Sequence, residues 1–134
     1  MNYIKNKIAN TYARIVNTSH GTHPFKLSMS LQSRGLLYEK LQIDYPEKIP
    51  IIVHGVNITM SKTKFLVEPT MTVQGLIDQI FDHIEDSMLL PDEKDILLQT
   101  SNGSTMKIQD NLGNIYTNYK DSEDNLLYIW ILIQ

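Results

Sequence analysis

Eight consecutive apolar residues, Leu126 to Ile133, restrict the fold of this chain more than any other feature. A helix needs about 20 apolar residues to cross a bilayer, so this run is far too short for a transmembrane helix. Its length suits a buried strand, and a strand that is apolar on both faces belongs at the centre of a sheet. We therefore expect a central strand here, with helix covering one face of the sheet.

The composition of the chain limits the remaining classes of protein. The chain has 134 residues, of which 42% are hydrophobic and 20% charged, values typical of one globular domain. It has no cysteine, which excludes disulfides, cysteine-based zinc sites and a thiol nucleophile, and which favours a reducing, cytoplasmic location. The net charge of -3 and the lack of a basic stripe argue against nucleic-acid binding.

The first part of the chain, residues 1–22, predicts an N-terminal arm separate from a domain at 23–134. Apolar residues recur at helical spacing from Ile4 to Ile15, with basic residues between them. Such a basic amphipathic segment fits two interpretations: a helix on a membrane surface, or a helix or frayed tail resting on the domain. We favour the second and treat membrane contact as secondary.

A second helix is predicted to begin after Ser30, whose hydroxyl can cap it, and to end before Pro46. Its apolar residues share one face, so the helix should pack on one side only; they are Leu31, Leu37 and Leu41.

Short strands follow. Residues 49–53 and 64–67 predict a hairpin, and Pro50 leaves the first of these strands partly open because proline cannot donate a ladder hydrogen bond. Residues 96–99 predict a third strand, and Asn102-Gly103 is a strong turn signal.

The clearest helix follows Thr72, which can cap it. Its apolar stripe comprises Val73, Leu76, Ile77, Ile80, Phe81 and Ile84. The resulting order is strand, strand, helix, strand, short helical turn, strand. We therefore predict an α+β fold, a β-grasp (ubiquitin-like) four-stranded mixed sheet with additional N-terminal helices.

A search for catalytic or metal-binding chemistry finds no recognised local motif. The four histidines fall in different predicted elements and include no His-x-x-x-His pair: His20, His23, His54 and His83. The acidic residues at 92–93 and 121–124 could suggest acid–base catalysis, but they are more simply interpreted as residues of solvated turns. We expect no enzyme, no catalytic residue, no metal and no cofactor.

Ordered motifs make the chain resemble a known family, the ubiquitin-like autophagy modifiers, which include GABARAP and the microtubule-associated light-chain proteins. The resemblance covers roughly residues 23–131. The matching segments are His23-Pro24-Phe25, Tyr45-Pro46-Glu47-Lys48-Ile49-Pro50-Ile51-Ile52-Val53, Lys64-Phe65-Leu66-Val67, Met71-Thr72-Val73, Leu112-Gly113-Asn114-Ile115-Tyr116 and Leu127-Tyr128.

The sequence departs from the family pattern in several places. The first hairpin loop is short, the usual Pro-Pro is missing from residues 101–105, and Asn125-Leu126 replaces the usual Gly/Phe-Phe. Family members carry a C-terminal glycine that an activating enzyme adenylates and a conjugating enzyme transfers to phosphatidylethanolamine. This sequence has no glycine after Gly113 and stops at Gln134, so we expect lipid conjugation only of a form that ends in glycine.

The resemblance implies a peptide-binding site. Family members bind aromatic-x-x-aliphatic peptides, which add a strand to a sheet edge while two side chains fill two pockets. The resemblance assigns the aromatic pocket to Leu41, Pro50, Ile52, Lys64, Leu66 and Leu126, and the aliphatic pocket to Phe65, Val67, Met71, Leu76 and Ile80. Main-chain pairing would use residues 64–66, and acidic peptide residues would be steered by Lys48, Lys62 and Lys64.

Most of these apolar residues would also suit an ordinary β-grasp core. Phe65, Lys64 and Leu41 discriminate better. Phe65 alternates with Leu66 along the strand, and adjacent residues of a strand face opposite ways, so one of these two should face away from the main core. An exposed aromatic at position 65 beside an open strand edge would suggest a recognition patch.

The leading hypothesis is a non-enzymatic ubiquitin-like autophagy protein of the cytoplasm that binds receptors and adaptors with aromatic-x-x-aliphatic motifs. A glycine-ended form would use activating and conjugating enzymes, a processing cysteine protease and phosphatidylethanolamine, and would reach the autophagosomal membrane. The alternative is an unconjugated, divergent ubiquitin-like scaffold that binds proteins through the same edge.

Overall fold

The computed structural model describes residues 20–85 and 92–134. Nearly all of the predicted N-terminal arm, residues 1–19, lies outside the described residues. In chain order the elements are α1 (Pro24–Ser28), α2 (Leu31–Asp44), β1 (Ile49–Gly55), β2 (Lys64–Val67), α3 (Val73–Phe81), a 3-10 turn (Glu93–Asp95), β3 (Ile96–Gln99), α4 (Leu112–Tyr119) and β4 (Leu127–Ile133).

The four strands form one mixed sheet in the order β2-β1-β4-β3. The two central strands, β1 and β4, are parallel, and each outer strand pairs antiparallel with its neighbour. The predicted α+β mixed sheet and the central position of the last apolar strand are therefore confirmed.

The main core lies between the sheet and α3. Thr72 caps this helix, because its side chain accepts a hydrogen bond from the amide of Gly75. Val73, Leu76 and Ile80 then face the inward residues of β4. The helix is shorter than its apolar stripe predicted: it ends at Phe81, and Ile84 instead forms an isolated bridge with Met60.

The opposite face of the sheet is also covered, so the prediction of helix on one face only is wrong. Alternate residues of β4 point to a second, smaller core that includes Tyr128, and side chains of α1 and α2, Phe25 and Leu37, pack against it. Strong apolarity on both faces of β4 reflects these two cores. The additional N-terminal helices are confirmed.

The boundaries of α2 agree with the sequence. Ser30 caps the helix by accepting a hydrogen bond from the amide of Ser33, and the last helical residue, Asp44, precedes Pro46 by two positions. Leu31, expected on the packed face, is exposed instead. Within the described parts of the chain, none of the helices combines the length and apolar character that a membrane span requires.

Candidate peptide-binding site

An apolar groove of about 250 Å³ lies between α2 and the β1–β2 hairpin. We call it the α2–β2 groove and define it by its lining residues: Leu37, Leu41, Pro50, Ile51, Ile52, Lys62, Lys64, Phe65 and Leu66. It adjoins β2, an outer strand of the sheet. An outer strand carries backbone N–H and C=O groups along its free side, which can pair with another extended chain.

The two apolar residues in the middle of β2 face opposite sides of the sheet. Both border the groove, but Phe65 is only 3% exposed and belongs to the main core, whereas Leu66 is half-buried. The hypothesis of an exposed aromatic at position 65 is therefore wrong, although the predicted alternation of the pair holds. The apolar side chain that β2 offers to a ligand in the groove is that of Leu66.

The residues assigned to the aromatic pocket are mostly brought together. Leu41, Pro50, Ile52, Lys64 and Leu66 all line the groove. Leu126 lies deeper, fully buried in the second core. Leu126 packs in the same core cluster as Ile52, a lining residue, and so supports the floor of the groove.

The residues assigned to the aliphatic pocket lie mainly in the main core. Val67, Leu76 and Ile80 are buried there together with Phe65. Met71 is only partly buried and packs against this cluster. Of this set, Met71 is the residue that reaches the surface.

Two lysines lie along the groove. The Lys62 Nζ atom is 4.8 Å from the centre of the Phe65 ring, and the Lys64 Nζ atom is 5.7 Å from the centre of the Phe25 ring. These are cation–π distances, and the ammonium groups keep the groove rim positive. Lys48, also predicted to steer a ligand, lies elsewhere and pairs with Glu68 at 3.1 Å.

Sequence reasoning missed Leu37 and Ile51 as groove residues. The signal for Leu37 was available, because it precedes Leu41 by one helical turn and therefore lies on the same face of α2. Ile51 gave no such signal, since every residue from Ile49 to Val53 is apolar or proline.

The position of α2 depends on a buried ion pair. Arg34 Nη1 donates to Asp124 Oδ2 at 3.1 Å, and the two side chains are 7% and 0% exposed. The Tyr128 hydroxyl donates to the same oxygen at 2.5 Å, and the Leu126 amide donates to Asp124 Oδ1 at 2.9 Å. Burial and the bond to Asp124 raise the pKa of Tyr128, so the phenol remains a donor. This network attaches α2 to the start of β4.

Histidines gather around the middle of β4. His23 is buried, and burial lowers its pKa to about 4. His54 is partly exposed, and its pKa is also lowered by burial. Among residues 20–85 and 92–134, no group of three or more histidine, cysteine, aspartate or glutamate side chains is arranged to hold a metal ion.

A mixed sheet with parallel central strands, crossed by α3 and with the short helix α4 between β3 and β4, defines a ubiquitin-like protein of the β-grasp type. The two N-terminal helices and the groove beside β2 are further elements of this chain. Residues 34–132 match the family described as autophagy protein Atg8, ubiquitin-like. The chain belongs to the Atg8 family.

Individual relatives agree with this assignment. The chain is 32% identical over 109 residues to an autophagy-related protein 8-like protein of Dictyostelium discoideum, covering 78% of this chain and 85% of the relative. It is 30% identical over 111 residues to human microtubule-associated protein 1 light chain 3 gamma, covering 79% of this chain and 72% of that protein.

Solved structures show the same fold. The crystal structure of Trypanosoma brucei ATG8 superposes with a TM-score of 0.68 at 22% identity, covering 83% of this chain and 94% of that one. Plasmodium falciparum Atg8, solved in complex with a Plasmodium falciparum Atg3 peptide, superposes with a TM-score of 0.67 at 25% identity, covering 82% and 95%.

Proposed function

We propose that this protein binds aromatic-x-x-aliphatic segments of autophagy receptors and adaptors by strand addition to β2, and that it acts as a non-enzymatic modifier. The observation that carries the proposal is the apolar α2–β2 groove directly beside an outer strand. Backbone pairing with residues 64–66 would supply affinity, and side chains that point into the groove would supply specificity.

The size of the groove supports a single aromatic side chain as its ligand. Pockets that hold whole drug-sized molecules occupy roughly 300–1,000 Å³, whereas this groove has about 250 Å³. Leu37, Leu41 and Leu66 would contact the faces of an inserted ring. Lys62 and Lys64 would attract acidic residues that precede the aromatic one.

The aliphatic residue of the peptide would pack near Met71. The Met71 side chain covers the start of α3, since its Cγ atom lies 2.8 Å from the place that a Cβ on Gly75 would occupy. Methionine is flexible and adapts to new neighbours. We propose that displacement of Met71 admits the ligand to the surface of Val67, Leu76 and Ile80.

Membrane attachment is the second part of the proposal. A form that ends in glycine would be conjugated to phosphatidylethanolamine on autophagosomal membranes, with a processing cysteine protease and activating and conjugating enzymes as partners. The peptide complex of the Plasmodium falciparum relative supports a conjugating enzyme as partner. The alternative is a cytoplasmic scaffold that uses the same groove without conjugation.

Peptide binding is tested with a fluorescent aromatic-x-x-aliphatic peptide and the variant Leu66→Ala. Leu66 lines the groove without belonging to the main core, so the variant should fold and should bind at least about tenfold more weakly, a loss of roughly 1.4 kcal/mol or more. The matched control is Leu36→Ala, because Leu36 is a 59% exposed residue of α2 outside the groove.

We expect Leu36→Ala to bind like the wild type, and far-ultraviolet circular dichroism to show that both variants are folded. Equal binding by wild type and Leu66→Ala would refute the site. Conjugation is tested separately, by mass spectrometry of the protein's C-terminal peptide from membrane and soluble cell fractions. A phosphatidylethanolamine adduct in the membrane fraction is expected; its absence there under autophagy-inducing conditions would favour the scaffold.

A further inference from the structure

Three histidines surround the tryptophan of β4 on the face covered by α1. The ring centres of His20, His23 and His54 lie 4.9, 4.8 and 5.7 Å from that of Trp130. Trp130 is 5% exposed and is the one tryptophan of the chain. Two of these histidines belong to segment 20–28, which comprises α1 and the residues before it, so the ring contacts hold this segment against the sheet.

His23 is bound as a neutral imidazole. Its Nδ1 atom accepts a hydrogen bond from the Phe25 amide at 3.3 Å, which caps α1, and its Nε2 atom contacts the Ile129 carbonyl at 3.4 Å. A carbonyl can only accept, so the proton is on Nε2. A second proton on Nδ1 would remove the cap and place a charge in a site that is 4% exposed.

The charged and titratable groups around His23 would not compensate that charge. The His54 ring of β1 is 5.9 Å away, centre to centre, and the Tyr128 ring of β4 is 5.0 Å away. Lys26 of α1 is a further cation, and it is paired with Asp121. Lys26 and a protonated His54 would both repel a charged His23, and none of the described carboxylates pairs with it.

Segment 20–28 also borders the α2–β2 groove. Phe25 packs on the second core beside Ile52, which lines the groove, and the Lys64 ammonium lies over the Phe25 ring. Departure of the segment would therefore remove support from Ile52 and Lys64 together.

We propose that acidification releases segment 20–28 from the sheet, through protonation of His23 and His54, and so weakens peptide binding in the α2–β2 groove. This inference rests on the proposed function. With a His23 pKa of about 4 in the closed state and about 6.5 after release, lowering the pH from 7 to 5 shifts the equilibrium toward release by about 20-fold.

Trp130 reports the release directly. On titration of the full chain from pH 7 to pH 4.5, we expect its emission to shift to longer wavelength as it becomes exposed, while the far-ultraviolet circular dichroism of the sheet and α3 persists. His23→Asn keeps an N-cap acceptor but cannot titrate, so its emission should change much less. The matched control is His83→Asn, since His83 contacts Phe65 on the other face of the sheet and should leave the transition unchanged.

Peptide affinity is then measured at pH 7 and pH 5 with a peptide free of Asp, Glu and His, so that the ligand itself does not titrate. We expect peptide binding by the wild type to weaken, by up to about 20-fold, and peptide binding by His23→Asn to weaken less. The inference would be overturned if the emission shift and the loss of circular dichroism occurred in one transition. It would also be overturned if peptide binding had the same pH dependence in wild type and His23→Asn. Absence of binding at pH 7 would instead refute the proposed function.

Discussion

Removing the charge of Asp124 should destabilise the protein strongly, because this carboxylate neutralises a buried arginine. Asp124→Asn keeps an oxygen for the Leu126 amide but leaves Arg34 buried without a counter-charge. Breaking one partner of such a pair costs roughly 3–5 kcal/mol, against a total stability of about 5–15 kcal/mol for a domain.

Urea unfolding, followed by circular dichroism, measures this loss. With a slope of about 1.5 kcal/mol per molar urea, a loss of 3 kcal/mol lowers the midpoint by about 2 M. The control is Asp44→Asn, which removes another ion pair of α2, Lys40 with Asp44 at 3.3 Å. This pair is exposed, so we expect its loss to change the free energy of unfolding by at most about 0.5 kcal/mol.

A double variant separates the interaction between Arg34 and Asp124 from the interactions that each makes with other residues. Arg34→Met with Asp124→Asn removes both charges, so it should be less destabilised than the sum of the two single variants. An Asp124→Asn loss no larger than that of Asp44→Asn would refute the argument that this pair fixes α2. Exact additivity of the two single changes would refute the coupling between them.

Three further predictions concern local features. Thr72→Ala removes the N-cap of α3 and should cost about 1 kcal/mol in urea unfolding; no loss would contradict the cap. Gly55→Ala would place a Cβ 1.9 Å from the Ile58 carbonyl oxygen, so the loop must shift, and we expect a loss of at least about 1 kcal/mol; a stable variant would contradict this contact. The lowered pKa of His23, about 4, means that its neutral form stabilises the fold fully above pH 6.5 and that this contribution is lost as pH falls toward 4. Between pH 7 and pH 5 the loss is at most about 2 kcal/mol, and unfolding of His23→Asn should lack it; equal losses would contradict the assignment.

Local signals in the sequence were sufficient for most elements of the fold. Thr72 and Ser30 mark helix starts because their side chains satisfy backbone amides within three residues. The run ending at Ile133 identifies the central strand because both of its faces are apolar. Each of these features depends on neighbours in the chain.

Features that depend on distant residues could not be predicted. Alternation along β2 requires Phe65 and Leu66 to face opposite ways, but it does not say which of them faces α3, since both are apolar. Arg34 and Asp124 are 90 residues apart, and nothing local marks them as partners. The pairing of Lys48 with Glu68 arises only when β1 and β2 come together, so the sequence does not show it. Without that pairing, Lys48 looks like a lysine that is available to steer a ligand.

Nuclear magnetic resonance of the labelled protein with an aromatic-x-x-aliphatic peptide tests the central claim most directly. If the peptide adds a strand to β2, the amides of residues 64–66 will shift, together with side-chain shifts of Leu41 and Leu66. The Lys64 and Leu66 amides will gain protection from hydrogen exchange, because they face the free edge, whereas Phe65 pairs with Ile51 of β1. Shifts confined to β3, the other outer strand of the sheet, would contradict the account.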